Sequence, residues 1–262
     1  MSERISMVEA FYGAIDEDGR LIRSRHGQLE FATTMAYIHR LAAQGARILE
    51  VGAGTGRYSI ALAREGYDVT AVELVAHNLD VLRRNAAGLE RLRAYQGDAL
   101  DLSRFEDGAF DVTLVLGPLY HLYDEADVRG AIREAIRVTR RGGCILMAFL
   151  SVYAVLYANY LNGRLLAGLE ENFDAEGGVR HFREQLFTGY DVAEFEALLA
   201  GEAVEHLATV ATDGVLELAE GRGDFELTDE GFEAYKRLHL KTCEKRELLG
   251  CSSHLLYVGR RI

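Results

Sequence analysis

The chain predicts a doubly wound α/β fold, with a mostly parallel sheet covered by helices on both faces. Three observations carry this. From Ala46 onward, short apolar runs alternate with helical patterns, the signature of strand–helix–strand units. The run Cys144–Leu150 is apolar without alternation, as in a strand buried on both faces. And Ile48-Leu49-Glu50-Val51 runs straight into a glycine-rich turn, Gly52-Ala53-Gly54-Thr55-Gly56, that opens a helix.

Taken in order, residues 1–45 read as helical. Arg47–Val51 is the first strand and Tyr58–Arg64 a helix. Asp68–Val72 is the second strand, after which Val75, Leu79 and Leu82 recur on one helical face. Leu92–Gln96 is a third strand, and the Asp107-Gly108 turn leads into a fourth, Phe110–Leu116. The next helix shows Val128, Ile132, Ala135 and Ile136 on one face. It is expected to end at Arg140-Arg141-Gly142-Gly143, cations in the last turn and glycine beyond. Ser151–Phe187 is an aromatic-rich insertion. Asp191-Val192-Ala193-Glu194 is a D-x-x-E capping box opening a short helix. Val204–Val210 is a strand, Thr228 caps a long helix reaching Leu249, and Leu255–Val258 is the last strand. No Pro/Ser-rich linker or internal repeat divides the chain, so 1–262 reads as a single domain: a helical cap (1–45), a core (46–150), an insertion (151–187) and the remainder of the sheet (188–262).

Composition narrows the function. Lys and Arg number 29 against 41 Asp and Glu, a net charge of −12, which disfavours a duplex nucleic-acid binder because phosphate affinity comes from clustered cations. Hydrophobic content of 49% is enough for a sizeable core and excludes a disordered chain. The three cysteines, Cys144, Cys243 and Cys251, show no C-x-x-C spacing, so a reducing, cytoplasmic setting is expected rather than a disulfide framework or zinc knuckle. No signal peptide is expected at the N-terminus. The most apolar stretch, Ile145–Leu161, is interrupted and short for a membrane span. No His, Cys or carboxylate cluster stands out, so no metal is expected.

The glycine turn is spaced G-x-G-x-G, with Arg57 where a dinucleotide binder has its third glycine, and no P-loop lysine follows. Three further signals lie at C-terminal ends of predicted parallel strands, where open α/β sheets bind ligands. They are Glu73 after strand two, Gly97-Asp98-Ala99 after strand three, and Leu116-Gly117-Pro118-Leu119-Tyr120-His121 after strand four. Together these segments resemble the class I S-adenosylmethionine-dependent methyltransferases over about Ala46–Ser151. The resemblance implies a seven-stranded sheet whose antiparallel last strand is Leu255–Val258. It implies S-adenosylmethionine as methyl donor, its methionine part held by Glu50, Gly52, Ala53, Gly54 and Gly56. Glu73 and Leu74 would then meet the ribose, Asp98 and Ala99 the adenine, and Leu116 would line the same site. An [N/D]-P-P-[Y/F] segment, used on base amines, is replaced here by Gly117-Pro118-Leu119-Tyr120, which argues against a nucleobase amine.

Tyr120 and His121 follow strand four, where small-molecule members place substrate contacts. His121 reads either as a general base or orienting donor, or as a capping histidine. Tyr153, Tyr157 and Tyr160 share one helical face and either line an acceptor pocket, with His181, Phe173, Phe182 and Phe187, or pack as core. Arg129, Arg133 and Arg137 read as a solvated face. Residues 1–40 are expected to pack partly over the cofactor site. The expected function is methyl transfer to a small-molecule acceptor, without DNA or membrane as partner. The alternatives are a methyltransferase acting on a protein or RNA, and a non-catalytic S-adenosylmethionine-binding protein; acceptor, methylated atom and oligomeric state stay open.

Overall fold

The computed structural model describes residues 3–262. The strands are β1 (Arg47–Val51), β2 (Asp68–Glu73), β3 (Leu92–Gln96), β4 (Phe110–Val115), β5 (Thr139–Ser151), β6 (Gly189–Tyr190), β7 (Val204–Ala211) and β8 (His254–Arg261). They form one sheet in the order β3-β2-β1-β4-β5-β8-β7. β1 to β5 pair in parallel and β8 runs antiparallel to both β5 and β7. The expected seven strands are joined by an eighth, β6, which pairs in parallel with the end of β5 at Leu150 and Ser151.

The helices are α1 (Glu3–Ala14), α2 (Arg20–Arg23), α3 (Arg25–Leu41), α4 (Arg57–Arg64), α5 (Ala76–Asn85), α6 (Glu125–Val138), α7 (Val152–Tyr160), α8 (Leu165–Asn172), α9 (Val192–Leu198), α10 (Leu216–Glu220), α11 (Asp229–Thr242) and α12 (Arg246–Leu249). Strand periodicity sorts the core into two faces. Ile145, Met147 and Phe149 of β5 pack with α6 and α9, where Phe149 stacks on Phe195 at 4.0 Å. Their neighbours Cys144 and Leu146 pack with α3 and α4 on the other face. The Asp191–Glu194 capping box forms as expected. The arginines of α6 are all engaged: Arg129 with Glu125, Arg133 with Glu202, Arg137 with Glu134 and Asp107.

Two boundaries differ from expectation. The helix expected to reach Arg140–Gly143 stops at Val138, because Thr139 pairs with Phe110 and its hydroxyl donates to Ala135 O. Residues 140–143 then bulge out of β5 at a register shift, with Gly142 at φ 74°. The long helix expected to reach Leu249 is broken at residues 243–245 into α11 and α12, with Cys243 turned into the core. Among the described residues, no helix is long and apolar enough to cross a membrane.

The parallel order brings the ends of β1, β2, β3 and β4 to one edge, so residues 52–56, 73–75, 97–99 and 116–121 converge there. From the same edge, β5 delivers the chain into α7. The N-terminal segment lies over this edge, and α1 packs against α5.

Candidate active site

The glycine turn is fixed by backbone bonds: Gly52 N and Ala53 N donate to Val72 O at 2.8 and 3.1 Å. Gly52, Gly54 and Gly56 have φ of 77°, 55° and 93°, a region that disfavours any side chain. A Cβ on Gly52 would lie 2.5 Å from Pro118 Cδ, so the turn rests directly on the exit of β4. Gly56 serves packing instead of lining the cavity, since a Cβ there would meet Leu82 Cγ at 2.7 Å. Ala53 and Glu50 face a small side cavity beneath the turn. Burial pushes the Glu50 carboxyl up to about 8, against the hydrogen bond it accepts from the Ser59 hydroxyl.

A cavity of about 80 Å³ lies over the glycine turn. Gly52, Gly54, Glu73, Leu74, Asp98 and Ala99 line it, joined by Leu116. Glu73 Oε2 accepts from Gly54 N at 2.7 Å and Oε1 from Val75 N at 2.9 Å. Burial raises its carboxyl even so. Asn78 is a third donor to this carboxylate, which leaves one lone pair for a diol hydroxyl. Asp98 is engaged by Arg4 of α1, and Val8 and Tyr12 of the same helix complete the wall. From the described part of the N-terminal segment, Arg4, Val8, Tyr12, Glu17 and Arg20 line this cavity.

Tyr12 is the less foreseen member. Its hydroxyl lies 3.0 Å from His121 Nε2, while His121 Nδ1 donates to Leu186 O at 2.7 Å. Burial lowers the His121 imidazole to about 4, so it is neutral at pH 7. The Nδ1–H bond leaves Nε2 bare, and Tyr12 must donate to it. Both ring nitrogens of His121 are thus engaged, which makes it an orienting group for Tyr12 in place of a free base. Burial raises the Tyr12 and Tyr120 phenols well above their ordinary value, so both stay protonated.

A second cavity of about 620 Å³ adjoins the first. Tyr12, Glu17, Arg20 and Tyr120 line both, so the two cavities adjoin at these four side chains. The insertion walls the second cavity, but through Val155, Asn159 and Tyr160 of α7 and Phe182, Gln185 and Phe187 beyond it. Tyr153, Tyr157 and His181, expected there, lie elsewhere. Tyr153 donates to Asp191 and stacks on Phe173; Tyr157 is 41% exposed; His181 is tied to Thr188 and Glu194. Helical spacing put the tyrosines on one face but could not say that, of the three, Tyr160 would line the cavity together with Val155 and Asn159.

Sequence reasoning also missed the floor of this cavity. Arg20 binds Glu30 through both terminal nitrogens, at 2.7 and 3.1 Å, and its Nε donates to Glu17 at 2.9 Å. His254 Nδ1 donates to Asp213 Oδ2 at 2.8 Å. Burial would lower the His254 imidazole, but Glu30 and Asp213 outweigh it and raise it to about 9. Glu30, Asp213 and His254 place their donor atoms within 4.8 Å of one another, with the Arg20 guanidinium paired to Glu30 and His254 to Asp213.

A methyltransferase-domain family model matches residues 48–143. The demethylmenaquinone methyltransferase of Clavibacter sepedonicus is 34% identical over 147 residues, 56% of this chain and 57% of the relative. The glycine/sarcosine N-methyltransferase of Parasynechococcus marenigrum is 36% identical over 159 residues, 60% of this chain and 50% of the relative. The chain thus spans between half and three-fifths of the length of these relatives. Among solved structures, a Thermotoga maritima S-adenosylmethionine-dependent methyltransferase, described as a possible histamine N-methyltransferase, superposes with a TM-score of 0.61. It is 15% identical, covering 99% of this chain and all of that one, and shares the fold. The G-x-G-x-G turn, the strand order and the methyltransferase-domain match over residues 48–143 agree, and together they support a class I S-adenosylmethionine-dependent methyltransferase.

Proposed function

We propose that the protein transfers the methyl group of S-adenosylmethionine to a small-molecule acceptor held in the second cavity. The observation that carries this is the juxtaposition of two cavities that adjoin at four side chains, Tyr12, Glu17, Arg20 and Tyr120. Where the two cavities adjoin is where donor and acceptor meet, and holding them together lowers the entropic barrier to an in-line displacement. The relatives' names specify demethylmenaquinone and glycine or sarcosine, which are small molecules. The three free cysteines fit a reducing, cytoplasmic setting.

The residues fit the donor. Glu73 is the diol-binding acid, with its two oxygens held in place by Gly54 and Val75. Gly52 and Gly54 leave the backbone open to the methionine part, and Glu50 stands beneath it. Asp98 and Ala99 meet the adenine once Arg4 yields its hold on Asp98. When bound, S-adenosylmethionine supplies an electrophilic methyl on a sulfonium. The chain's own part is orientation and exclusion of water. α1 and the insertion cover the edge of the sheet. His121 holds the Tyr12 hydroxyl proton in a hydrogen bond and so fixes the orientation of the phenol.

Methyl-labelled S-adenosylmethionine, incubated with the protein and with separated low-mass and high-mass fractions of a cell extract, tests this. Label is expected in the low-mass fraction. Label in the protein or RNA fraction would reassign the acceptor. Binding without release of S-adenosylhomocysteine from any fraction would mark a non-catalytic binder.

A further inference from the structure

The charges around the second cavity do not cancel. Its floor holds two cations, Arg20 and His254, and both are matched by buried carboxylates behind them, Glu30 and Asp213. His254 is protonated at neutral pH, so that set of four sums to zero. Glu17 is then left uncompensated. It lines both cavities, with Oε1 engaged by Arg20 Nε, which leaves Oε2 to meet a ligand. Burial raises its carboxyl, the direction expected for an acid short of positive charge.

The rest of the lining has the same sign. Glu171, Glu184 and Glu217 stand at the cavity, while Arg20 and His254 are the only cationic side chains among the described lining residues. Aromatic rings supply the walls: Phe11, Tyr12, Tyr120, Phe182 and Phe187. Phe11 and Phe187 meet edge to face at 5.2 Å, and His121 and Phe187 lie 4.9 Å apart. A cleft of one sign draws in ligands of the other. Aromatic faces attract cations in particular.

We propose that the acceptor is an amine, bound as its ammonium ion against Glu17 and the aromatic walls. This rests on the methyl-transfer reading above and names the class of acceptor for that same site. An ammonium nitrogen has no lone pair, so a proton must leave first. It passes from nitrogen to the Glu17 carboxylate, giving a neutral amine and a carboxylic acid. The nitrogen lone pair then forms the N–C bond to the methyl carbon as the C–S bond breaks, its electron pair remaining on sulfur. The product is a methylated ammonium ion. Glu17 is a catalytic residue in this account because it touches the reacting nitrogen.

The test uses the full chain saturated with S-adenosylhomocysteine, titrated with 2-phenylethylamine and with its neutral isostere 2-phenylethanol. The amine is expected to bind at least about tenfold tighter, and Glu17→Gln is expected to abolish that preference. Equal binding of the two, or a preference that survives in Glu17→Gln, would overturn the proposal. The same variant should bind S-adenosylmethionine and S-adenosylhomocysteine within about twofold of the parent. A loss confined to S-adenosylmethionine would assign Glu17 to the donor's sulfonium, and an equal loss for both to the donor's ammonium; each would overturn the acceptor assignment. Because the titration needs no turnover, its failure is separate from failure of the methyl-transfer reading. Glu17→Asp, which keeps the charge, should keep the preference and guards against misfolding of the glutamine variant.

Discussion

Asp213→Asn is expected to destabilise the fold by ~3–5 kcal/mol, the range for breaking a buried ion pair. Asp213 is fully buried; it accepts from Ser252 Oγ at 2.5 Å and from both the backbone and ring nitrogens of His254. An amide there puts an N–H₂ donor where Ser252 or His254 already donates, and it removes one of the two charges that keep His254 protonated. The pH dependence gives a second signature. His254 is raised from 6.5 to about 9 in the folded state, so between those values the native protein holds a proton that the unfolded chain has lost. Its contribution, on the order of 3 kcal/mol, is full below pH 6.5 and is lost as pH rises through 9. Glu50 acts in the same direction over a lower window, because its carboxyl rises from 4.5 to about 8. Comparing the parent with Asp213→Asn isolates the histidine. Urea denaturation between pH 6 and 9.5 should show a steeper loss in the parent than in the variant. A stability change below about 1 kcal/mol at pH 7 would contradict this account of the floor.

Glu73→Ala is expected to weaken S-adenosylmethionine binding by ~1.5–3 kcal/mol, about 10- to 150-fold, the range for hydrogen bonds to a charged group. The structure adds a cost that its place at a strand end does not suggest. Without the carboxylate, Gly54 N and Val75 N lose their acceptor, so the glycine turn loosens as well. Glu73→Gln keeps one acceptor oxygen and should fall between parent and alanine in both affinity and melting temperature. Calorimetric titration of the three proteins checks this. An unchanged dissociation constant in Glu73→Ala would remove Glu73 from the diol site.

The order of these effects follows what was legible in the chain. The donor side could be read because each signal is local. A strand, a turn with left-handed glycines and an acid at a strand end are written in a few consecutive residues, and the parallel topology brings them to one edge. The acceptor side could not. Glu30, Asp213 and His254 come from a helix, the exit of β7 and the start of β8, and each looks unremarkable in its own segment. Tyr12 lies inside the segment expected to pack over the cofactor site, and only the fold reveals that it touches His121, 109 residues away in the chain. The tyrosines of α7 show the limit of periodicity: it groups residues on a face without aiming the face. The same limit explains Arg140–Gly143, where cations and glycines that suit a helix end instead form a bulge entering β5. β6, two residues long, is too short to leave a pattern.

The claim on which the whole account rests is that the cavity over the glycine turn accepts S-adenosylmethionine. Titration calorimetry of the parent protein with S-adenosylmethionine, S-adenosylhomocysteine and NAD tests it most directly. The account predicts saturable one-to-one binding of the first two and none of NAD, because Arg57 stands where a dinucleotide site has its third glycine. NAD binding in the absence of S-adenosylmethionine binding would contradict it.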